Sequence, residues 1–451
     1  MIADGRRSAR AVCVRNAARS PAGSRRNAQT AYLTVAELTS PGGSDGWRIP
    51  SARGILLDIS SAAATGSTLS ANVPWLRRPC LRAGAHDRLY ATKRMIVDMH
   101  TRETWRIGRA GSVDRLARQT EALSDPGPGE ARILVRAVGL NFADVFAVLG
   151  LYSATPPGAF IPGLEVAGIV DTVGPAAPGS ESYAVRPGDR VMGLTRFGAY
   201  ASAVNIDVRC LRHIPPGWSF AEGAAFPVQA LTAWYGLIEQ GDLVRGDLVL
   251  LHSAAGGVGL HALALLAHHG ARVVATVGRP AKREFLMEHC GLAADQAIVR
   301  DRRNFSAQLD RALVAQGAGG FDLVLDPVAG PYFRPAYDRL RPAGRLVLYG
   351  VADFMSARPR PNYLRLAVRY FLRPRLDPLR MISENRSVMA FNLIWLWDRV
   401  ERLPGAYDQL APLMIRSPFI GRRFRFSEAP AALGFLQSGQ SIGKVVLDLE
   451  M

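Results

Sequence analysis

The apolar run Asp247-Leu248-Val249-Leu250-Leu251-His252 passes directly into Ser253-Ala254-Ala255-Gly256-Gly257-Val258-Gly259, and a helical pattern follows over residues 259–269. A strand without polar alternation is buried on both faces, and a turn without bulk lets the backbone at a helix N-terminus approach an anion closely. A second apolar run follows the helix at residues 271–277, and Phe321–Asp326 and residues 344–349 add two more. Apolar strands alternating with helices predict an α/β fold with a doubly wound parallel sheet. The glycine turn then places a dinucleotide pyrophosphate against Ser253, Ala255, Gly256, Gly257 and Val258.

The end of the second strand bears on which dinucleotide. NAD-binding sheets carry Asp or Glu about 20 residues beyond the glycines, to hold the ribose 2′-hydroxyl. This chain reads Thr276-Val277-Gly278-Arg279 there, followed by Lys282 and Arg283. A carboxylate would repel a 2′-phosphate, whereas Arg279 and Lys282 pair with one, so NADPH is the expected cofactor. The alternative is that Lys282 and Arg283 are ordinary solvated residues of the next helix.

Upstream of the nucleotide pattern, short strand-like segments at residues 131–140, 166–173 and 190–194 are punctuated by Pro156-Pro157-Gly158, Pro162-Gly163 and Pro187-Gly188-Asp189. Such punctuation suggests a small, irregular, partly closed β-rich domain ending near Pro227. Residues 1–94 show no sustained period and read as a disordered extension, or as sequence upstream of a start at Met95 or Met99; an Arg- and Ser-rich targeting peptide is a further alternative. The expected organisation is 1–94 as extension, 95–227 as the β-rich domain, 228–352 as the nucleotide-binding domain and 353–451 as a return to the first domain with a helical insertion.

The net charge of +17 does not point to nucleic acid. Residues 1–94 hold 15 of the 55 basic residues against 5 of the 38 acidic ones, so most of the excess lies in that first fifth. Only Lys93, Lys282 and Lys444 are lysines, which suggests a general arginine bias rather than a basic binding surface. Cys13, Cys80, Cys210 and Cys290 are far apart, so neither a disulfide framework nor a cysteine zinc cluster is supported, and a reducing cytoplasm fits. The histidines have no partner at metal spacing, and no metal is expected.

Several motifs occur together in order: Asn141-Phe142-Ala143-Asp144, Gly150-Leu151-Tyr152, Pro162-Gly163-Leu164-Glu165-Val166-Ala167-Gly168, Pro187-Gly188-Asp189-Arg190-Val191, Ala199-Tyr200-Ala201 and the glycine turn. From about residue 102 onward the sequence resembles the quinone oxidoreductase branch of the zinc-free medium-chain dehydrogenase/reductase superfamily. Asp326-Pro327-Val328, Tyr349-Gly350-Val351-Ala352 and the segment after them are most similar to vesicle amine transport protein 1 homologues.

That resemblance implies a GroES-like catalytic domain, a Rossmann domain with the active site in the cleft, and NADPH-dependent reduction of a quinone or α,β-unsaturated carbonyl. It implies that Asn141 and Tyr152 line the nicotinamide and substrate pocket, with Asp144 as a positioning group. It assigns cofactor contacts to Asn141, Thr232, Gly256, Gly257, Val258, Gly278 and Lys282, and places Tyr349, Gly350 and Val351 beside the nicotinamide. Family members are often homodimers joined through Rossmann sheet edges.

The sequence also departs from the family. Arg300 stands where the branch often has a tyrosine over the adenosine phosphate, and is expected to meet the 2′-phosphate instead. Zinc-containing relatives carry a Gly-His-Glu triplet; here it is Gly163-Leu164-Glu165, and leucine cannot ligate zinc. Without a metal, rate must come from holding the acceptor in hydride reach and from hydrogen bonds to the developing oxyanion, for which Tyr152 is the candidate donor. A pocket-wall role for Tyr152 and a helix-start role for Asp144 are the alternatives.

Residues 353–400 interleave arginines with leucines and aromatics. The favoured expectation is that this apolar stripe packs on the protein, capping the cleft or a subunit interface; the alternative is an amphipathic helix on an anionic membrane. The competing function class is a non-catalytic, membrane-associated NADPH-binding protein.

Overall fold

The structure, a computed structural model, describes residues 100–178, 185–355 and 360–451. The expectations for residues 1–94 lie outside the described residues.

The chain opens with an antiparallel ribbon, β1 (His100–Ile107) against β2 (Leu116–Leu123). Arg102, Arg106 and Glu121 interrupt the apolar alternation of these strands, and in the ribbon both arginines pair with that glutamate at 2.8 and 2.7 Å. The Trp105 indole N–H reaches across to the Phe426 carbonyl at 2.7 Å, fastening the ribbon to the C-terminal part of the chain.

Five strands then form a mainly antiparallel, β-rich sheet: β3 (Glu130–Gly139), β4 (Glu165–Val173), β5 (Arg190–Leu194), β6 (Ala203–Asp207) and β7 (Leu211–His213). The central strand β3 pairs with both β4 and β6, and its Ile133 and Val138 are fully buried.

The second sheet is six-stranded and parallel, built from β8 (Leu248–His252), β9 (Arg272–Val277), β10 (Ala297–Val299), β11 (Phe321–Asp326), β12 (Leu340–Leu348) and β13 (Ser387–Ala390) in the order β10-β9-β8-β11-β12-β13. Every residue of β8 is buried, as its unbroken apolar sequence requires. The order reverses beside β8, and such a switch point is where open α/β sheets bind ligands at the carboxyl ends of their strands. The last two strands, β14 (Ile420–Arg425) and β15 (Lys444–Asp448), return to the first sheet, β15 pairing with β3.

β13 lies beyond residue 352, the expected end of the nucleotide-binding unit. Its four residues, SVMA, are too short to show a period, and only pairing with β12 reveals them as a strand.

The segment between β12 and β14 divides in two. Helices Tyr363–Phe371 and Pro378–Glu384 contain no fully buried residue, with Leu364 78% and Ile382 75% exposed and Met381 partly buried against the sheet core, so this part of the stripe does not cap the cleft. Ion pairs also tie it down, among them Arg369 to Asp353 at 3.7 Å and Arg380 to Asp338 at 3.1 Å. The 3-10 helix Leu393–Arg402, in contrast, turns Leu393, Leu396 and Trp397 into the cleft described next. No helix among the described residues is long and apolar enough to cross a membrane.

Candidate active site

A cleft of about 550 Å³ is lined by both sheets and by the segment around residue 392. Ser253, Ala255, Gly256, Gly257 and Val258 form one wall of it. The turn begins with Ser253 in the left-handed region, at φ 55°. It ends at Gly256, the N-cap of helix Gly257–His269, where no side chain caps the helix and its first N–H groups are left for a ligand. A Cβ at Gly257 would overlap the carboxamide of Gln229, which is itself a cleft residue whose buried Oε1 has no partner. Gly443 closes the turn from behind, its N–H donating to the Ala255 carbonyl at 2.8 Å.

At the carboxyl end of β9 the cleft reaches Gly278, Lys282 and Arg300. Arg300 is held by Thr276, donating from Nη1 to Oγ1 at 2.9 Å, and lies over the Tyr332 ring at 5.3 Å. Thr276 Oγ1 also meets His252 Nδ1 at 2.8 Å; burial pulls that imidazole down to about 4, so it is neutral. Burial, with Arg300 and Arg279 nearby, pulls the Lys282 ammonium down to about 8. Neither Lys282 nor Arg300 has an ion-pair partner within 4 Å among the described residues; the buried Asp326 carboxylate acts on Arg300 from farther off, and Lys282 has no carboxylate beside it. Arg279 is exposed and does not line the cleft; it is the extended N-cap residue of helix Pro280–Cys290, at φ −144°. The pocket suits a phosphate, and the glycine turn suits a pyrophosphate, so the residues present fit a dinucleotide.

Asn141 and Tyr152 both face the cleft; Asp144 does not. Asn141 is the N-cap of helix Phe142–Val148, and its amide is committed: Nδ2 donates to Glu165 Oε1 at 2.8 Å and to the Gly139 carbonyl at 3.3 Å, while Oδ1 accepts from Lys444 at 2.9 Å. Asp144 is fully buried beneath it. There Oδ2 accepts from the Asn141 N–H at 2.8 Å and from the Tyr200 hydroxyl at 3.3 Å, which is the helix-start arrangement rather than a contact with substrate. Burial raises this carboxyl to about 7, and its Oδ1 has no partner.

Sequence reasoning did not single out Lys444. Its ammonium is 1% exposed and lies 2.5 Å from Glu165 Oε1, whose side chain is 0% exposed. Glu165 Oε2 accepts from the Val228 N–H at 2.8 Å, so the pair ties β15, β4 and helix Pro227–Trp234 together under Asn141. The available signal was compositional: a chain that uses arginine almost everywhere keeps lysine here and at Lys282.

Tyr152 donates its hydroxyl proton to Asn392 Oδ1 at 2.7 Å, and burial pushes its phenol up to about 12. Thr232 lines the cleft, but its hydroxyl donates to the Val228 carbonyl of its own helix at 2.6 Å. Tyr349, Gly350 and Val351 also line it, the Tyr349 ring lying 6.1 Å from that of Phe391. Phe142, Phe146, Leu164, Leu393, Ile394 and Leu396 leave this end of the cleft largely apolar.

The donor set does not suit zinc. Leu164 has no ligand atom, and the Glu165 carboxylate is occupied by Lys444, Asn141 and the Val228 N–H. Among the described residues no three of His, Cys, Asp and Glu converge on a point.

Comparison with known proteins places this geometry in a family. Residues 127–235 match the alcohol dehydrogenase GroES-like domain, and residues 257–379 match the family described as zinc-binding dehydrogenase. The spectinabilin polyketide synthase system protein NorB of Streptomyces orinoci is 35% identical over 76% of this chain, which spans only 14% of that much longer protein. The synaptic vesicle membrane protein VAT-1 homolog of Homo sapiens is 31% identical over 75% of this chain and 84% of its own.

Among solved structures, human VAT-1 homolog-like protein aligns with a TM-score of 0.63 at 26% identity, covering 78% of this chain and 99% of its own. The quinone oxidoreductase of Thermus thermophilus, also crystallised with NADPH, aligns at 0.59 and 30% identity, covering 77% of this chain and 100% of its own. CurK enoyl reductase aligns at 0.62 and 27%, covering 77% and 99%. The GroES-like and Rossmann units, the glycine turn at their shared cleft and these matches together make the chain a member of the medium-chain dehydrogenase/reductase superfamily of oxidoreductases.

Proposed function

We propose that the protein is an NADPH-dependent, zinc-independent oxidoreductase that transfers hydride to a quinone or an α,β-unsaturated carbonyl. A nicotinamide cofactor goes with the family's nucleotide-binding fold; the choice of NADPH is supported by the paired cations Lys282 and Arg300 at the end of β9, in the same cleft as the apolar acceptor end. When bound, NADPH supplies the hydride. The chain's own residues hold the pyrophosphate at the glycine turn, exclude water with the apolar wall, and keep Asn141 fixed through Glu165 and Lys444.

Two properties follow for the cofactor pocket. Lys282→Glu replaces a charged hydrogen-bond donor by a repelling carboxylate and is expected to weaken NADPH roughly 100-fold relative to NADH, read by fluorescence titration of both. Bound phosphate favours the charged ammonium, so from neutral pH upward NADPH affinity declines as pH rises through about 8, as Lys282 loses its proton. Lys282→Arg stays charged and flattens that decline. A pH-independent NADPH affinity in the parent protein would remove Lys282 from the phosphate site.

The test of the whole proposal is oxidation of NADPH and NADH with a panel of quinones and enones. Turnover favouring NADPH supports it; NADH preference contradicts the phosphate assignment. A homodimer joined along the open edge strand β13 completes the proposal, and its mass in solution tests it.

One observation favours the second reading, a non-catalytic membrane-associated NADPH-binding protein. Residues 363–382 expose Tyr363, Leu364, Phe371, Leu379 and Ile382 among arginines. That reading predicts NADPH binding without turnover, and association with anionic liposomes that is lost on substituting Arg365, Arg369 and Arg373.

A further inference from the structure

Asn392 stands at the N-cap of helix Leu393–Arg402, a position where an asparagine side chain ordinarily accepts from the first backbone N–H groups, yet it makes no capping bond. Its Oδ1 accepts the Tyr152 hydroxyl at 2.7 Å instead, and the residue lines the cleft. The Tyr152 phenol stays protonated well above neutral pH, so the tyrosine is the donor of that bond and the carboxamide oxygen its acceptor. The Asn392 Nδ2 group is thereby set opposite, and neither of its N–H groups has a hydrogen-bond partner among the described residues. The Phe391 N–H on the Leu348 carbonyl and the Trp395 N–H on the Asn392 carbonyl, at 3.0 and 3.1 Å, hold its backbone on both sides.

Neighbouring side chains have spent their donors. Asn141 gives its N–H groups to Glu165 and Gly139, Thr195 donates to the Phe197 carbonyl at 2.6 Å, Thr232 to Val228, and Tyr152 to Asn392 itself. Tyr349, stacked on Phe391, is the remaining hydroxyl at this end.

We propose that the Asn392 carboxamide is a catalytic residue: its Nδ2–H donates to the carbonyl oxygen of an α,β-unsaturated acceptor as negative charge develops there, and Tyr152 is the positioning residue that aims it. This rests on the oxidoreductase reading above and transfers to Asn392 the donor role expected of Tyr152. In the step, the acceptor's β-carbon takes a hydride with its electron pair from NADPH, and NADP⁺ remains. The C=C π pair becomes the new Cα=C bond of an enolate, the C=O π pair moves onto oxygen, and a proton from water at the α-carbon completes the saturated carbonyl. A donor at that oxygen strengthens only as charge appears, so it acts on kcat rather than on ground-state binding.

The experiment compares Asn392→Asp, Tyr152→Phe and Tyr349→Phe in the full chain, with an enone and a quinone as acceptors. Aspartate keeps the shape and removes the donor. Asn392→Asp is expected to lower kcat for the enone about 100-fold or more, with NADPH affinity unchanged as the control for folding, and to cost much less for the quinone, whose reduced anion is stabilised by conjugation. Tyr152→Phe is expected to lose less than Asn392→Asp. Full enone turnover by Asn392→Asp, or a larger loss in Tyr152→Phe or Tyr349→Phe, overturns the proposal. An unsubstituted protein that binds NADPH but reduces no acceptor overturns the oxidoreductase reading itself, which is a separate outcome from loss in one variant.

Discussion

Gly257→Val is expected to weaken binding of the proposed NADPH cofactor severely while leaving the protein folded. The new Cβ lands on the carboxamide of Gln229, a side-chain tip that moves rather than a fixed backbone atom, so the turn survives. The displaced carboxamide and the branched side chain then occupy the cradle in front of the first N–H groups of helix Gly257–His269, where a pyrophosphate has to sit. A dissociation constant raised about 100-fold or more, equivalent to ~2.8 kcal/mol, is expected in a fluorescence titration, with a thermal midpoint close to that of the parent. Gly259→Val supplies the contrast. There the Cβ runs into backbone atoms of Ala254, which cannot step aside, and fold and binding are lost together. Normal NADPH binding by Gly257→Val would move the cofactor away from this turn.

Lys444→Met is expected to produce a large stability loss that leaves the chain able to fold. It leaves Glu165 buried at 0% exposure with only the Asn141 amide and the Val228 N–H as partners. Breaking a buried pair from one side costs about 3–5 kcal/mol, which in a chain of this size lowers the midpoint by on the order of 4–7 °C. Pairing it with Glu165→Gln removes the stranded charge and is expected to restore more than half of the loss. Thermal unfolding of both single variants and the double variant measures the coupling. A neutral Lys444→Met would mean that the pair carries no net stability, and that Asn141 is held without it.

What the sequence disclosed and what it hid have physical reasons. The strand, turn and helix from residue 248 to 269 are local and were legible to within two residues, because a strand covered on both faces shows as an unbroken apolar run. The ribbon β1–β2 and the short strand β13 were not, since ion-paired side chains mask the alternation of one and four residues are too few for the other. Ser253, Ala255, Gly256, Gly257, Val258, Gly278, Lys282 and Arg300 line one cleft, whereas Arg279 faces solvent beside it and Asp144 lies below it. Lys444 meets Asn141 across 303 residues, and Asn392 meets Tyr152 across 240. No local pattern announces such a partner; only folding brings it in. The arginine-rich apolar stripe after residue 353 looked uniform in sequence, yet its second half lines the cleft and its first half stays open to solvent.

The most direct test of hydride transfer from NADPH in this cleft uses cofactor deuterated at nicotinamide C4 on the transferred face, mixed with the full chain and an enone, with the product examined by mass spectrometry and NMR. Deuterium at the β-carbon of the saturated product, formed with NADPH in preference to NADH, is the predicted result. NADPH bound tightly at the glycine turn with no deuterium in any product would contradict it.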